Sequence, residues 1–175
     1  MTHADLVRRA AVWLRTHRAC TVVGTEFNVQ GCSESPDAIG WNFAGACVVV
    51  ECKTSLADFR NDAKKFFRRA GYAPAGSERW YMAPIGVIPV EELPQGYGLV
   101  EVKETGGFHR AYHNGKDRLK NGRGYCYKPE FAGAERNAKT ESAILVSILR
   151  QIHMPGYAEK RNLYIHRPIP FEEKS

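Results

Sequence analysis

The chain contains no run of about 18 consecutive apolar residues, the length a membrane-spanning helix needs. Its opening Met1-Thr2-His3-Ala4-Asp5 leads straight into an Arg-bearing amphipathic stretch and not into an apolar leader. No membrane partner and a cytoplasmic location are therefore expected. Cysteine is sparse and poorly spaced for staples. The 5 present (Cys20, Cys32, Cys47, Cys52 and Cys126) are odd in number and form no Cys-x-x-Cys pair. That excludes a regular disulfide framework or zinc ribbon and suits buried thiols in a reducing compartment. Internal repeats are absent, and so is any acidic excess. The 19 Asp plus Glu against 25 Lys plus Arg leave a formal charge of +6, a bias toward polyanionic partners. What is present is a globular composition, 43% hydrophobic and 25% charged over 175 residues, enough for a single domain with its own core.

Hydrophobic spacing divides the chain. Leu6, Ala10, Trp13, Leu14 and His17 recur with helical period, so residues 4–18 read as an amphipathic helix. Strands are expected at 20–27, 37–42 and 46–54, and the last, with three consecutive valines, reads as the buried centre of a sheet. Ser55 has the chemistry of an N-cap with Asp58 three residues on. Leu56, Phe59, Ala63 and Phe66 carry a helix forward to Arg69. Further strands are expected at 79–83 and 97–103. Beyond them, 104–136 reads as a long basic and aromatic loop, 137–152 as a helix and 157–175 as an extended tail.

Chemistry concentrates at the end of the central strand. Residues two apart on a strand share a face, so Glu51 and Lys53 project together, opposite Val50 and Cys52. Two charges in a buried strand must be paired, metal-bound or solvated. Asp37 begins the preceding strand, and an antiparallel return through Ala44 brings its carboxylate beside Glu51. Two carboxylates about 5 Å apart repel by roughly 3 kcal/mol at an effective dielectric of about 20. A divalent cation with oxygen-only ligation, Mg²⁺ or Mn²⁺, removes that repulsion and can act on a phosphate, with the Lys53 ammonium beside it.

An acid two before a lysine is common and recurs at Asp62-Ala63-Lys64, Glu101-Val102-Lys103 and Glu172-Glu173-Lys174. Glu101 is the serious rival because it too falls on a strand. Glu51 alone has Pro36-Asp37 one hairpin earlier and a capped basic helix directly after it. A surface salt bridge among Asp37, Glu51 and Lys53 is the plainer alternative. Asp62 and Lys65 read as an ion pair supporting the helix.

With Pro36-Asp37 followed by Glu51-Cys52-Lys53 in a helix, three strands, helix, strand order, residues 4–103 resemble the PD-(D/E)xK nuclease superfamily. The longer run Glu51-Cys52-Lys53-Thr54-Ser55-Leu56-Ala57-Asp58-Phe59, with Asp62 and Lys65 beyond it, is similar to small bacterial and phage members of the MmcB-like kind. The resemblance implies an α/β fold with a restriction-endonuclease-like core: helix, three-stranded meander, helix and two further strands in a mixed sheet flanked by helices. It implies Asp37, Glu51 and the Cys52 backbone carbonyl as Mg²⁺ ligands, Lys53 as the catalytic lysine and Glu26 as an additional upstream carboxylate. The expected activity is metal-dependent hydrolysis of phosphodiester bonds in DNA, in phage or bacterial DNA processing, repair or defence.

Two basic surfaces are expected to meet DNA. Arg60, Lys64, Lys65, Arg68 and Arg69 share the helix after the central strand. Arg110, Lys116, Arg118, Lys120 and Arg123 interleave with tyrosines in the long loop, a mixture suited to phosphate contact and base stacking. His109 and His113 have zinc-ligand spacing but lack an obvious third partner other than Cys126. A homodimer is compatible with the pattern. The rival functions are a DNA-binding or anti-defence protein on the same fold that has lost cleavage, and a protein-interaction module whose basic loop docks an acidic partner.

Overall fold

The computed structural model describes residues 1–27, 29, 32, 34–62, 64, 73–113, 116–117, 136–153 and 163–165. Helix α1 (His3–His17) opens the chain on a capping box, in which the Thr2 side chain accepts the Asp5 N–H while the Asp5 carboxylate accepts the Thr2 N–H. Strands β1 (Cys20–Thr25), β2 (Ala38–Asn42) and β3 (Cys47–Cys52) follow as an antiparallel meander. Helix α2 (Leu56–Asp62) then crosses to β4 (Glu78–Pro84), which pairs parallel to β3, and β5 (Tyr97–Val102) pairs parallel to β4. Strands β6 (Phe108–His113) and β7 (Lys116–Asp117), helix α3 (Ala138–His153) and strand β8 (Leu163–Ile165) complete the described elements. The mixed sheet has the order β7-β6-β5-β4-β3-β2-β1-β8.

The alternation of β3 sorts the core into two layers. Val48, Val50 and Cys52 pack with Leu6, Ala10, Trp13 and Leu14 of α1. On the other face Cys47 and Val49 meet Ile144 and Ile148 of α3, while Tyr81 and Leu99 meet Phe59 of α2. Every residue of β3 is buried, as its three valines predict for a strand covered on both sides. Gly98 on β5 is required by this packing, since a Cβ there would stand 2.1 Å from a ring carbon of Trp80.

The segment expected to be a loop from 104 begins instead with a hairpin. Gly106 adopts a positive φ and donates its N–H to the Lys103 carbonyl, and β6 then returns along β5 with Tyr112 opposite Leu99. The glycines that look like loop punctuation turn one strand into the next, and the open edge of β5 supplies the hydrogen bonds that make 108–113 a strand. The tail expected to be extended contributes β8, paired antiparallel to β1. The expected extension of α2 to Arg69 lies outside the described residues beyond residue 64. No described helix is long and apolar enough to cross a membrane.

Candidate functional site

The carboxyl end of β3 lies where the sheet changes from antiparallel to parallel pairing, between β2 and β4. The ladder pairs Ala38 with Val50 and Thr25 with Ala38, so Glu26, Asp37 and Glu51, each one step beyond a paired residue, stand at the same end of three adjacent strands. Glu51 and Lys53 share a face, as the period of a strand requires. They occupy a polar band between the apolar cluster under α3 and the one under α2.

Lys53 is only 4% exposed. Its backbone N–H continues the ladder to the Met82 carbonyl at 2.9 Å, and its Nζ donates to Asp62 Oδ1 at 3.1 Å. Asp62, at the last turn of α2 and fully buried, accepts the Tyr81 hydroxyl on Oδ2 at 2.9 Å. Burial works against the lysine charge, but the attraction of Glu51 and Asp62, the Asp62 hydrogen bond and the more remote Asp37 outweigh it. The ammonium is held above its ordinary value of 10.5.

Glu51 is likewise buried and faces Arg79 of β4, whose Nη2 lies 3.6 Å from Glu51 Oε1. The guanidinium is anchored elsewhere: Nη2 pairs with Glu34, and Nη1 donates to the Ala75 carbonyl at 2.5 Å. Glu34, itself buried, accepts the Ala75 N–H on its other oxygen at 2.8 Å. Arg79 is therefore tied to the loop before β4, and its approach to Glu51 is an ion pair at a separation longer than a hydrogen bond.

Asp37 forms the more open side of the site, with a side chain 21% exposed. Its Oδ2 accepts the Cys52 N–H at 2.7 Å, and its Oδ1 lies 3.5 Å from His3 Nε2 of α1. A strand residue sends its N–H and C=O to the same side, so the Cys52 carbonyl also projects toward the gap that β2 leaves beside Asp37. The donors that could hold a hard divalent cation are therefore the Asp37 and Glu51 carboxylates and this carbonyl, an all-oxygen set of the kind Mg²⁺ takes together with water. Among the described residues no three His, Cys, Asp or Glu side chains gather into a metal-holding group. Glu26 is exposed, in a left-handed backbone conformation at the end of β1, with its N–H bonded to the Asp37 carbonyl at 3.0 Å. It stands at the same edge of the sheet as the other two without completing a three-carboxylate cluster.

One expectation needs correction. The strand pattern predicts a cleft that exposes the acid and the lysine, whereas Glu51 and Lys53 are both buried and only Asp37 is partly open. The cause lies in partners that the local sequence does not announce, Asp62 and Arg79, which allow charges to sit inside the protein. Helical spacing pairs Asp62 with Lys65, which lies outside the described residues; Asp62 bonds to Lys53 and Tyr81. One sequence signal could have found it: Asp62 is three residues after Phe59, on the stripe of α2 that faces the core.

The remaining residues separate readily. Ser55 caps α2 through its Oγ, which accepts the Asp58 N–H at 3.2 Å. The rival Glu101 is buried and accepts the Gly86 N–H at 3.0 Å, tying the turn after β4 to β5. Arg60 makes a two-pronged contact with Glu92 at 2.7 and 3.0 Å, and Lys64 Nζ donates to Asn61 at 3.2 Å. Arg110 is on β6 opposite Glu101 and Lys116 on β7 opposite His113. Lys65, Arg68, Arg69, Arg118, Lys120 and Arg123 lie outside the described residues.

Fold and site together define an α/β protein with a mixed sheet flanked by helices and a buried ionic network at the carboxyl end of β3. Among solved structures it is similar to the SPO1766 protein of unknown function from Silicibacter pomeroyi. The identity is 21% and the TM-score 0.48, over 89% of this chain and 96% of that one. No family model matches the chain, and no curated protein matches it.

Proposed function

We propose that this protein is a PD-(D/E)xK-type nuclease that hydrolyses phosphodiester bonds in DNA with a divalent metal, using Asp37, Glu51 and Lys53. The observation that carries the reading is the meeting of Asp37 with the end of β3. Its carboxylate engages the Cys52 backbone, while Glu51 precedes and Lys53 follows on one face of that strand. The donor set fits Mg²⁺ or Mn²⁺ by its chemistry: two carboxylates and a carbonyl, all hard oxygen donors. When bound, the cation supplies Lewis-acid polarisation of a phosphoryl oxygen and a more acidic water. Lys53 remains protonated and offers hydrogen bonds to the charge that accumulates on phosphate during displacement. Asp37, the most exposed of the three, stands on the side from which a phosphate would enter.

The burial of Glu51 and Lys53 favours a second reading, a DNA-binding protein on the same scaffold without cleavage, because charges already satisfied by Asp62 and Arg79 have less need of a substrate or cation. One digestion panel separates the two. Circular duplex, single-stranded and branched DNA, and RNA, are incubated with wild type and with Lys53→Ala, with and without Mg²⁺ or Mn²⁺. Cleavage that requires metal and disappears in the variant supports the nuclease. Uncut DNA that is nevertheless bound, with affinity falling steeply in salt, supports the second reading.

A further inference from the structure

We infer that Asp62, braced by Tyr81, is a positioning residue that holds the Lys53 ammonium at its working place beside Glu51. The inference rests on the nuclease reading for its consequence in catalysis, but the positioning itself is a property of the protein alone. A fully buried carboxylate is costly unless its oxygens are satisfied, and here one accepts Lys53 Nζ and the other the Tyr81 hydroxyl. Both partners are themselves restrained. Tyr81 is clasped between Phe59, edge-on at a centroid distance of 5.0 Å, and Tyr97, stacked at 5.3 Å.

The local chain geometry explains why Asp62 reaches this place. Only Thr54 and Ser55 separate Lys53 from α2, and the Ser55 cap fixes where the helix begins. Two turns later Asp62 comes back over the end of β3 on the same stripe as Phe59. A lysine has four rotatable side-chain bonds and, placed beside Glu51 alone, would collapse onto that carboxylate. Asp62, which reaches from α2 to bond Nζ at 3.1 Å, fixes where the ammonium points. Asp62 makes no contact with a phosphate in this scheme and acts only through the lysine.

The test compares wild type, Asp62→Asn, Asp62→Glu and Tyr81→Phe for Mg²⁺-dependent cleavage of circular DNA at a single near-neutral pH, with the order parameter of the Lys53 side-chain methylenes measured by NMR in the same proteins. Asp62→Asn is expected to lower kcat at least about tenfold with little change in KM and to lower the Lys53 order parameter, while Asp62→Glu, which keeps the carboxylate, recovers part of both. Tyr81→Phe, which removes one bracing hydrogen bond from Asp62, should lower both by less. A folded Asp62→Asn protein with the wild-type kcat and Lys53 order parameter overturns the inference. Should that variant not fold, an unchanged Lys53 order parameter in Tyr81→Phe overturns it equally. If wild type cleaves nothing, the nuclease reading falls and the NMR measurement decides the positioning alone: a Lys53 side chain that loosens in both Asp62→Asn and Tyr81→Phe supports it, and one as ordered as in wild type overturns it.

Discussion

Asp37 Oδ2 accepts the backbone N–H of Cys52 at 2.7 Å, so a side chain at the entry to β2 does for β3 what the next residue of a paired strand would otherwise do. The interaction has a structural and a chemical part, and substitution can divide them. Asp37→Ala leaves the Cys52 N–H without its acceptor and should cost about 1–3 kcal/mol in urea denaturation. Asp37→Asn keeps an acceptor oxygen and should cost less, while removing the negative charge. If Asp37 and Glu51 hold the proposed cation, Mg²⁺ or Mn²⁺ should raise the Tm of wild type but not of Asp37→Asn/Glu51→Gln, because only folded protein with both carboxylates intact would bind it. Equal shifts in both proteins would discard the metal site.

The Glu34–Arg79 pair is buried, with side chains 1% and 6% exposed. Removing one partner strands the other in a medium that solvates it poorly. Glu34→Ala should cost about 3–5 kcal/mol, and Glu34→Ala/Arg79→Met should recover part of that loss, because a buried guanidinium left with only the more distant Glu51 carboxylate at 3.6 Å is worse than an apolar side chain. Additive losses in a double-mutant cycle would show that the pair contributes no coupling.

The Lys53 charge also links stability to pH. Its pKa is raised in the folded protein, where the pull of Glu51 and Asp62 overcomes burial, so the folded state holds the proton more tightly than the unfolded chain. The resulting stabilisation is fully present below the ordinary lysine value of 10.5 and is lost as pH rises through the higher folded value. Denaturation midpoints measured upward from about pH 9 should fall more steeply in wild type than in Lys53→Met. Parallel curves would contradict the pairing.

Gly98→Ala tests the packing that supports the site from β5. The added methyl would meet the ring of Trp80, which is 1% exposed and cannot swing into solvent. A loss of about 1–3 kcal/mol is expected from overpacking, measured by chemical denaturation. A neutral result would mean that the indole has room to move.

Neutralising Lys64, Lys65, Arg68 and Arg69 should weaken DNA binding on every sequence alike and make the dependence on salt shallower, by a slope of about one for each phosphate that is no longer neutralised. Arg60→Ala should behave differently. Its exposed two-pronged pairing with Glu92 is screened by solvent and contributes little to stability, so a fall in DNA affinity would be read against an almost unchanged fold. An unaltered salt slope in the fourfold variant would move the binding face elsewhere.

Much of this arrangement follows from local pattern. The valines of β3 place it at the sheet's centre, the strand period puts Glu51 and Lys53 on one face, and Ser55 sets the start of α2 within two residues of the lysine. Each of these depends only on neighbours along the chain. The identity of the partners does not. Asp62 meets Lys53 because α2 folds back over the end of β3. Arg79 meets Glu51 because β4 aligns parallel to β3 in one register, with Tyr81 opposite Glu51, and Glu34 joins them from a loop 45 residues before Arg79. Strands β6 and β8 likewise exist because open sheet edges offered hydrogen bonds to segments whose own sequence is indifferent. Local periodicity decides which way a side chain points, whereas what it meets, and whether its charge is left to water or enclosed with counter-charges, depends on chain segments that only tertiary packing brings together.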